Sequence, residues 1–150
     1  MNKIYHIGTI SLPSDNNNQA ESIGGISGYI TEIVTSNLKG FLFGVIGKIY
    51  NDNRSDKIDY INIYNKKTTT NKFLFLLFIK SFFIKIPKEV IIHAHRPDHL
   101  ASFILFKKNP TVLTLHGQQR LTIHKRKGFF IKKIYDFMEK HAFNRANTII

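Results

Sequence analysis

Three short segments of this 150-residue chain hold residues suited to chemistry: Gly24-Gly25, His93-Ala94-His95-Arg96 and His116-Gly117. Glycine lets a backbone approach a ligand closely, and a helix that starts beside it offers free N–H groups to an anion, typically a phosphate. Gly24 and Gly25 stand just ahead of a run with helical spacing. The polar stretch 11–23 separates them from the preceding apolar run, so they do not meet the dinucleotide fingerprint. A flexible loop with a glycine helix start fits the same residues. His93 and His95 flank Ala94, and strand alternation puts both imidazoles on one side. Such a pair can bind a metal, donate to a substrate oxygen or orient a loop. His116 follows a short apolar run, and Gly117 beside it suits an open loop that a ligand can approach.

Asp98 and His99 extend the second segment to His-x-His-x-x-Asp-His. Zinc hydrolases use histidine clusters at strand ends. This spacing is one residue away from the His-x-His-x-Asp-His pattern of the metallo-β-lactamase fold. Asp98 and His99 also fall in the first turns of an expected helix, where a carboxylate simply complements the positive helix end. A structural or substrate-binding pair at His93 and His95 is therefore preferred to a metal site. His6 lies within the first apolar run and reads as a core or sheet-face residue; His124 and His141 receive no role.

The elements that must position these residues follow from periodicity. Ile4 to Ile10 reads as a first, central strand. Ile26, Tyr29, Ile30, Ile33 and Val34 draw a helical stripe, ended near Gly40. Strands are expected at Phe41–Ile49 and Ile58–Tyr64, then a helix over 71–86 with N-cap hydroxyls at 68–70 and a stop at Pro87. A strand at Glu89–His93, a helix over 97–108 opened by Pro97, and a strand at Thr111–Leu115 come next. A basic loop spans 117–127; a last helix carries Ile131, Ile134, Tyr135, Phe137, Met138 and Phe143, and a strand begins at Asn147. Alternating strands and helices imply one Rossmann-like α/β domain of three layers with a mostly parallel sheet. Ligands bind such sheets outside the carboxyl ends of the strands, where all three segments fall.

Composition narrows the function classes. No cysteine is present, which excludes disulfides, thiolate metal sites and a cysteine nucleophile, and fits a cytoplasmic setting. The net charge is +12, from 22 basic and 10 acidic residues. Such a chain attracts phosphates, nucleic acid or an anionic membrane face, although solvated helix faces carry the same charges. The thirteen Phe and six Tyr lie mostly in apolar patterns and read as core, so nucleic acid is not expected. No secretory signal is evident, and the apolar run 73–86, broken by Lys80 and Lys85, is too short to span a bilayer.

The order of these motifs resembles the N-terminal domain of the family 4-like, GT-B-type retaining glycosyltransferases. The resemblance rests on Gly24-Gly25 at a helix start, Ile91 to Arg96, Thr111 to Gly117, and the helix ending Phe137 to Ile150, and it covers nearly the whole chain. It implies transfer of a sugar from a nucleotide-sugar, with no metal or other cofactor, to a glycan or lipid-linked acceptor, as in polysaccharide biosynthesis. Gly24 and Gly25 would approach the donor diphosphate, and His116 would face the transferred sugar. His93, His95, Arg96 and Gly117 would lie beside the acceptor, and Glu139 would be structural. The usual Gly-His before the second strand is replaced by Lys39-Gly40-Phe41. The family binds its nucleotide mainly in a second domain, expected here in a longer frame or a partner chain, so the isolated chain is expected to be inactive. Peripheral contact with the inner membrane face also fits. The competing readings are a metal-dependent hydrolase using His93, His95 and His116, and a non-catalytic basic binding module.

Overall fold

The computed structural model of the chain describes residues 2–10, 25–36, 38–49, 58–63, 69–117 and 128–150. Its elements in chain order are β1 (Asn2–Ile10), α1 (Gly25–Thr35), β2 (Phe41–Ile49), β3 (Asp59–Asn62), α2 (Thr70–Phe83), β4 (Ile91–Ala94), α3 (Pro97–Phe106), β5 (Thr111–Leu113), α4 (Phe129–Arg145) and β6 (Thr148–Ile149). The six strands form one sheet in the order β3-β2-β1-β4-β5-β6, and every pairing is parallel. The first strand is central, as its apolar run suggested. The chain builds outward from β1 to β3, then returns to the other side of β1 and builds outward again. That reversal puts a topological switch point between β1 and β4.

Alternation along the strands sorts side chains into two cores. Tyr5, Ile7, Ile46, Ile92, Ala94 and Leu113 pack with Phe73, Leu77, Leu100, Phe103 and Ala142 of α2, α3 and α4. On the opposite face Phe43 and Val45 pack with Ile30 and Val34 of α1. Helices therefore cover both faces, three on one side and α1 on the other, which makes the three-layer arrangement. The α3 helix lies in the middle of its layer; its residues from Pro97 to Ile104 are all buried.

Two helices end earlier than their sequences suggest. In α2, Thr69 accepts from the backbone N–H of Lys72 at 3.4 Å and caps the start. The helix stops at Phe83, not at 86; Ile84 is extended, and Ile84 and Ile86 both turn toward the core. Alternation serves those two isoleucines better than another helical turn, and Pro87 biases Ile86 away from helix. The α3 helix stops at Phe106 rather than 108, where Lys107 is extended. Strand β5 is likewise shorter than expected, yet Thr114 N–H still donates to Ala94 C=O at 2.9 Å and continues the ladder toward His116.

Glycines allow the central strands to meet. Gly8 and Gly47 are register partners across β1 and β2. A Cβ on Gly47 would lie 1.6 Å from the carbonyl oxygen of Gly8. Neither a side chain nor a small shift fits there.

Candidate functional site

The carboxyl ends of β1 and β4 lie side by side at the switch point, with His6 the register partner of His93. Because Tyr5, Ile7, Ile92 and Ala94 face the larger core, alternation turns His6, His93 and His95 to the α1 side. The rings form a compact group: centroids are 4.7 Å apart for His6 and His93, 4.4 Å for His93 and His95, and 5.4 Å for His6 and His95. Tyr29, in the first turns of α1, sets its ring edge against His95 at 5.4 Å and His116 at 5.2 Å. One edge of the sheet thus collects residues from β1, α1, β4 and the segment after β5.

Hydrogen bonds string these rings into a line. Nδ1 of His6 lies 3.1 Å from Nε2 of His95, and Nδ1 of His95 lies 3.0 Å from Nε2 of His116. His93 makes its own contact, Nε2 to the Thr114 hydroxyl at 2.8 Å. His6 and His95 are fully buried, whereas His93 and His116 are half-buried. Nε2 of His6 is buried without a hydrogen-bond partner among the described residues. A buried orphan lone pair is tolerated better than an orphan N–H. His6 therefore holds its proton on Nδ1 and donates to His95, which donates from Nδ1 to His116.

Burial governs the charge state. It pushes His6 down to about 3, with His93 adding repulsion. Burial, then His93 and His6, push His95 down to about 2. Burial, then His116, bring His93 to about 4. At neutral pH these three imidazoles are uncharged and keep their lone pairs.

The other residues singled out by sequence fall as follows. Arg96 is the residue before α3, and its guanidinium grips Asp98 twice, Nε to Oδ1 at 2.9 Å and Nη2 to Oδ2 at 2.6 Å. Asp98 also accepts from the His99 backbone N–H at 3.1 Å. These contacts place Asp98 and His99 outside the histidine group; His99 is buried against Phe73 on the α2 side. Gly25 opens α1 and is exposed, and a Cβ there would meet nothing within 4 Å. Gly24 and most of the basic loop lie outside the described residues. Gly117 has φ +68°, so glycine supplies a left-handed turn directly after His116. Glu139 is half-buried one helical turn beyond Tyr135.

Sequence reasoning missed His6 and Tyr29. Among the described residues, the three whose ligand atoms lie within 4.8 Å of one another are His6, His93 and His95, not His93, His95 and His116. The signal for His6 was parity: it alternates with Tyr5 and Ile7, so it faces away from their core. That parity became informative only once β1 was known to sit beside β4. A cavity of about 480 Å³ lies elsewhere, at the opposite end of β5, lined by residues including Lys107, Lys108, Asn109 and Asn147. Its asparagines are engaged: Asn109 donates to the carbonyls of Pro87 and Val90, and Asn147 accepts from Thr111.

Fold and site together define the class: a doubly wound parallel α/β domain with a layer of neutral histidines at its switch point. No family model, no curated protein and no solved structure matches the chain.

Proposed function

We propose that this chain is the N-terminal, acceptor-side domain of a GT-B-type retaining glycosyltransferase, which transfers a sugar from a nucleotide-sugar to a glycan or lipid-linked acceptor. One observation carries the reading. The start of α1, the end of β4 and the His116-Gly117 turn converge on one edge of the sheet, at the switch point, and Tyr29, His95 and His116 touch there. Ligands of open parallel sheets bind at that edge.

In this reading His116 faces the transferred sugar, held from behind by His95 and from the side by Tyr29. Gly24 and Gly25 let the α1 N-terminus approach the donor diphosphate. The half-buried His93, the exposed turn at Gly117 and the His95-Arg96 segment shape the acceptor side. The donor's nucleotide is bound by a second domain or a partner chain. The domain acts at the inner membrane face: α2 exposes Phe75, Phe78, Phe82 and Phe83 beside its own Lys80 and the following Lys85 and Lys88. Among the described residues no helix is long and apolar enough to cross a membrane.

The test is sugar transfer by the gene product in its natural frame and membrane fraction, assayed against a panel of UDP-, GDP- and ADP-sugars. Transfer or slow donor hydrolysis that falls at least a hundredfold in His116→Ala, with donor binding kept, supports the reading. Turnover unaffected by that substitution overturns it.

A further inference from the structure

We propose that His6, His93 and His95 form a binding site for one divalent cation of the class that favours imidazole, such as Zn²⁺ or Co²⁺. The site stands whether or not the chain serves a glycosyltransferase.

Three observations converge on it. One ligand nitrogen of each ring lies within 4.8 Å of the others. Tetrahedral zinc, with bonds of about 2.0–2.1 Å, sets its ligand nitrogens about 3.3 Å apart. The 3.1 Å between His6 Nδ1 and His95 Nε2 is already close to that spacing. His6 and His93 are register partners on two hydrogen-bonded strands and His95 directly follows the second, so little backbone needs to be ordered for binding.

Tautomers point the same way. Metal-binding histidines commonly place their other nitrogen on a hydrogen-bond partner, which fixes the ring and its proton. His95 Nδ1 has His116 as that partner, which leaves Nε2 as the lone-pair nitrogen facing the group. His93 Nε2 has the Thr114 hydroxyl, and in the tautomer that donates to it Nδ1 holds the lone pair. His6 would ligate through Nδ1, the nitrogen that faces His95, and its proton would pass to Nε2, which is buried without a partner among the described residues.

The donor set selects the ion. Three imidazoles without a carboxylate or thiolate suit Zn²⁺, Co²⁺, Ni²⁺ or Cu²⁺ and disfavour Mg²⁺ and Ca²⁺. Three protein ligands leave further coordination positions for water or substrate. A bound ion would cross-link β1 and β4 and, through His95, brace His116.

The experiment uses the tag-free chain, stripped with chelator and titrated with Co²⁺ by visible absorption, then displaced with Zn²⁺. One equivalent per chain is expected, with a tetrahedral or five-coordinate cobalt spectrum. His6→Ala and His95→Ala should each weaken binding at least a hundredfold. His116→Ala should keep the stoichiometry and weaken binding no more than about a hundredfold, because it removes only the partner of a ligand. Since a buried alanine variant can fail to fold, X-ray absorption of the zinc-loaded native chain supplies an independent count. Three imidazole nitrogens support the site. One or none, no binding below millimolar concentration, or binding unchanged in a folded His6→Ala chain would overturn it.

Discussion

Replacing Arg96 by methionine is expected to cost the fold about 3–5 kcal/mol, the usual penalty for breaking a buried ion pair from one side. The Asp98 side chain is only 1% exposed, and that of Arg96 is 23% exposed. Burial pushes the Asp98 carboxyl up, but the neighbouring His99 and the Arg96 guanidinium pull it down by more, so it stays ionised. Methionine preserves much of the apolar stem and deletes the fork. The carboxylate then keeps its His99 N–H but loses two charge-assisted bonds in a place water does not reach. Set against a total stability of about 5–15 kcal/mol for a domain, the loss is about a fifth or more. Urea unfolding at pH 7, followed by far-ultraviolet circular dichroism, measures it as a lower midpoint with an unchanged slope. Adding Asp98→Asn to the variant removes the stranded charge and should recover at least half of the loss. The gap between parent and single variant should also narrow as the pH falls and Asp98 takes up a proton. A loss below about 1 kcal/mol, or a double variant no more stable than the single one, would refute the reasoning. Arg96 would then have its charge free for a substrate.

Acid should weaken the metal-free chain well above the carboxylate range. His6, His95 and His99 sit at about 3, 2 and 4 when folded against 6.5 when unfolded, so the unfolded chain binds protons first. Stability present above pH 6.5 is therefore lost on descent toward pH 4, by up to ~2 kcal/mol per imidazole at pH 5; a Tm that stays flat from pH 7.5 to 5 in chelator would contradict this. Gly47→Ala should unfold the chain or cost more than ~3 kcal/mol, because its new methyl would meet the Gly8 carbonyl oxygen and not a movable side chain; a near-native denaturation midpoint would be the contrary result. Gly25→Ala should leave stability within ~0.5 kcal/mol, since its Cβ meets open space. Under the proposed glycosyltransferase reading it should still raise the KM for the nucleotide-sugar, and an unchanged KM would remove Gly25 from the proposed donor site.

Most of the fold was legible because its signals are local. The helical stripe of Ile26, Ile30, Ile33 and Val34 and the Phe41–Ile49 strand depend on near neighbours, and alternation of elements gave the parallel sheet. Helix ends were less legible where tertiary demand won. Nothing local in Lys80-Ser81-Phe82-Phe83 says that Ile84 and Ile86 will leave the helix to reach the core. The pairing of His93 with His95 followed from a period of two within one strand. The joining of His6 to them did not, because it depends on the neighbour and register of β1. Tyr29 sat on the apolar stripe of its helix, and its position beside His95 and His116 required the crossover that packs α1 on β1 and β2.

The histidine layer is hard to account for by packing alone. Across the same sheet, the Ile7–Ile92 side forms hydrocarbon core, while the His6–His93 side buries imidazoles that need partners. Every buried polar atom left unmatched costs stability, and His6 Nε2 is such an atom among the described residues. Isoleucine or valine at His6 and His95 would suit β-strands at least as well and would remove that cost. The sequence instead keeps imidazole at three strand-end positions facing α1, and lines a fourth, His116, behind a glycine turn. A hydrogen-bonded line of rings from buried His6 through His95 to half-buried His116 holds each ring in its orientation. Through that line the ring orientation of His116 is set from the interior of the sheet.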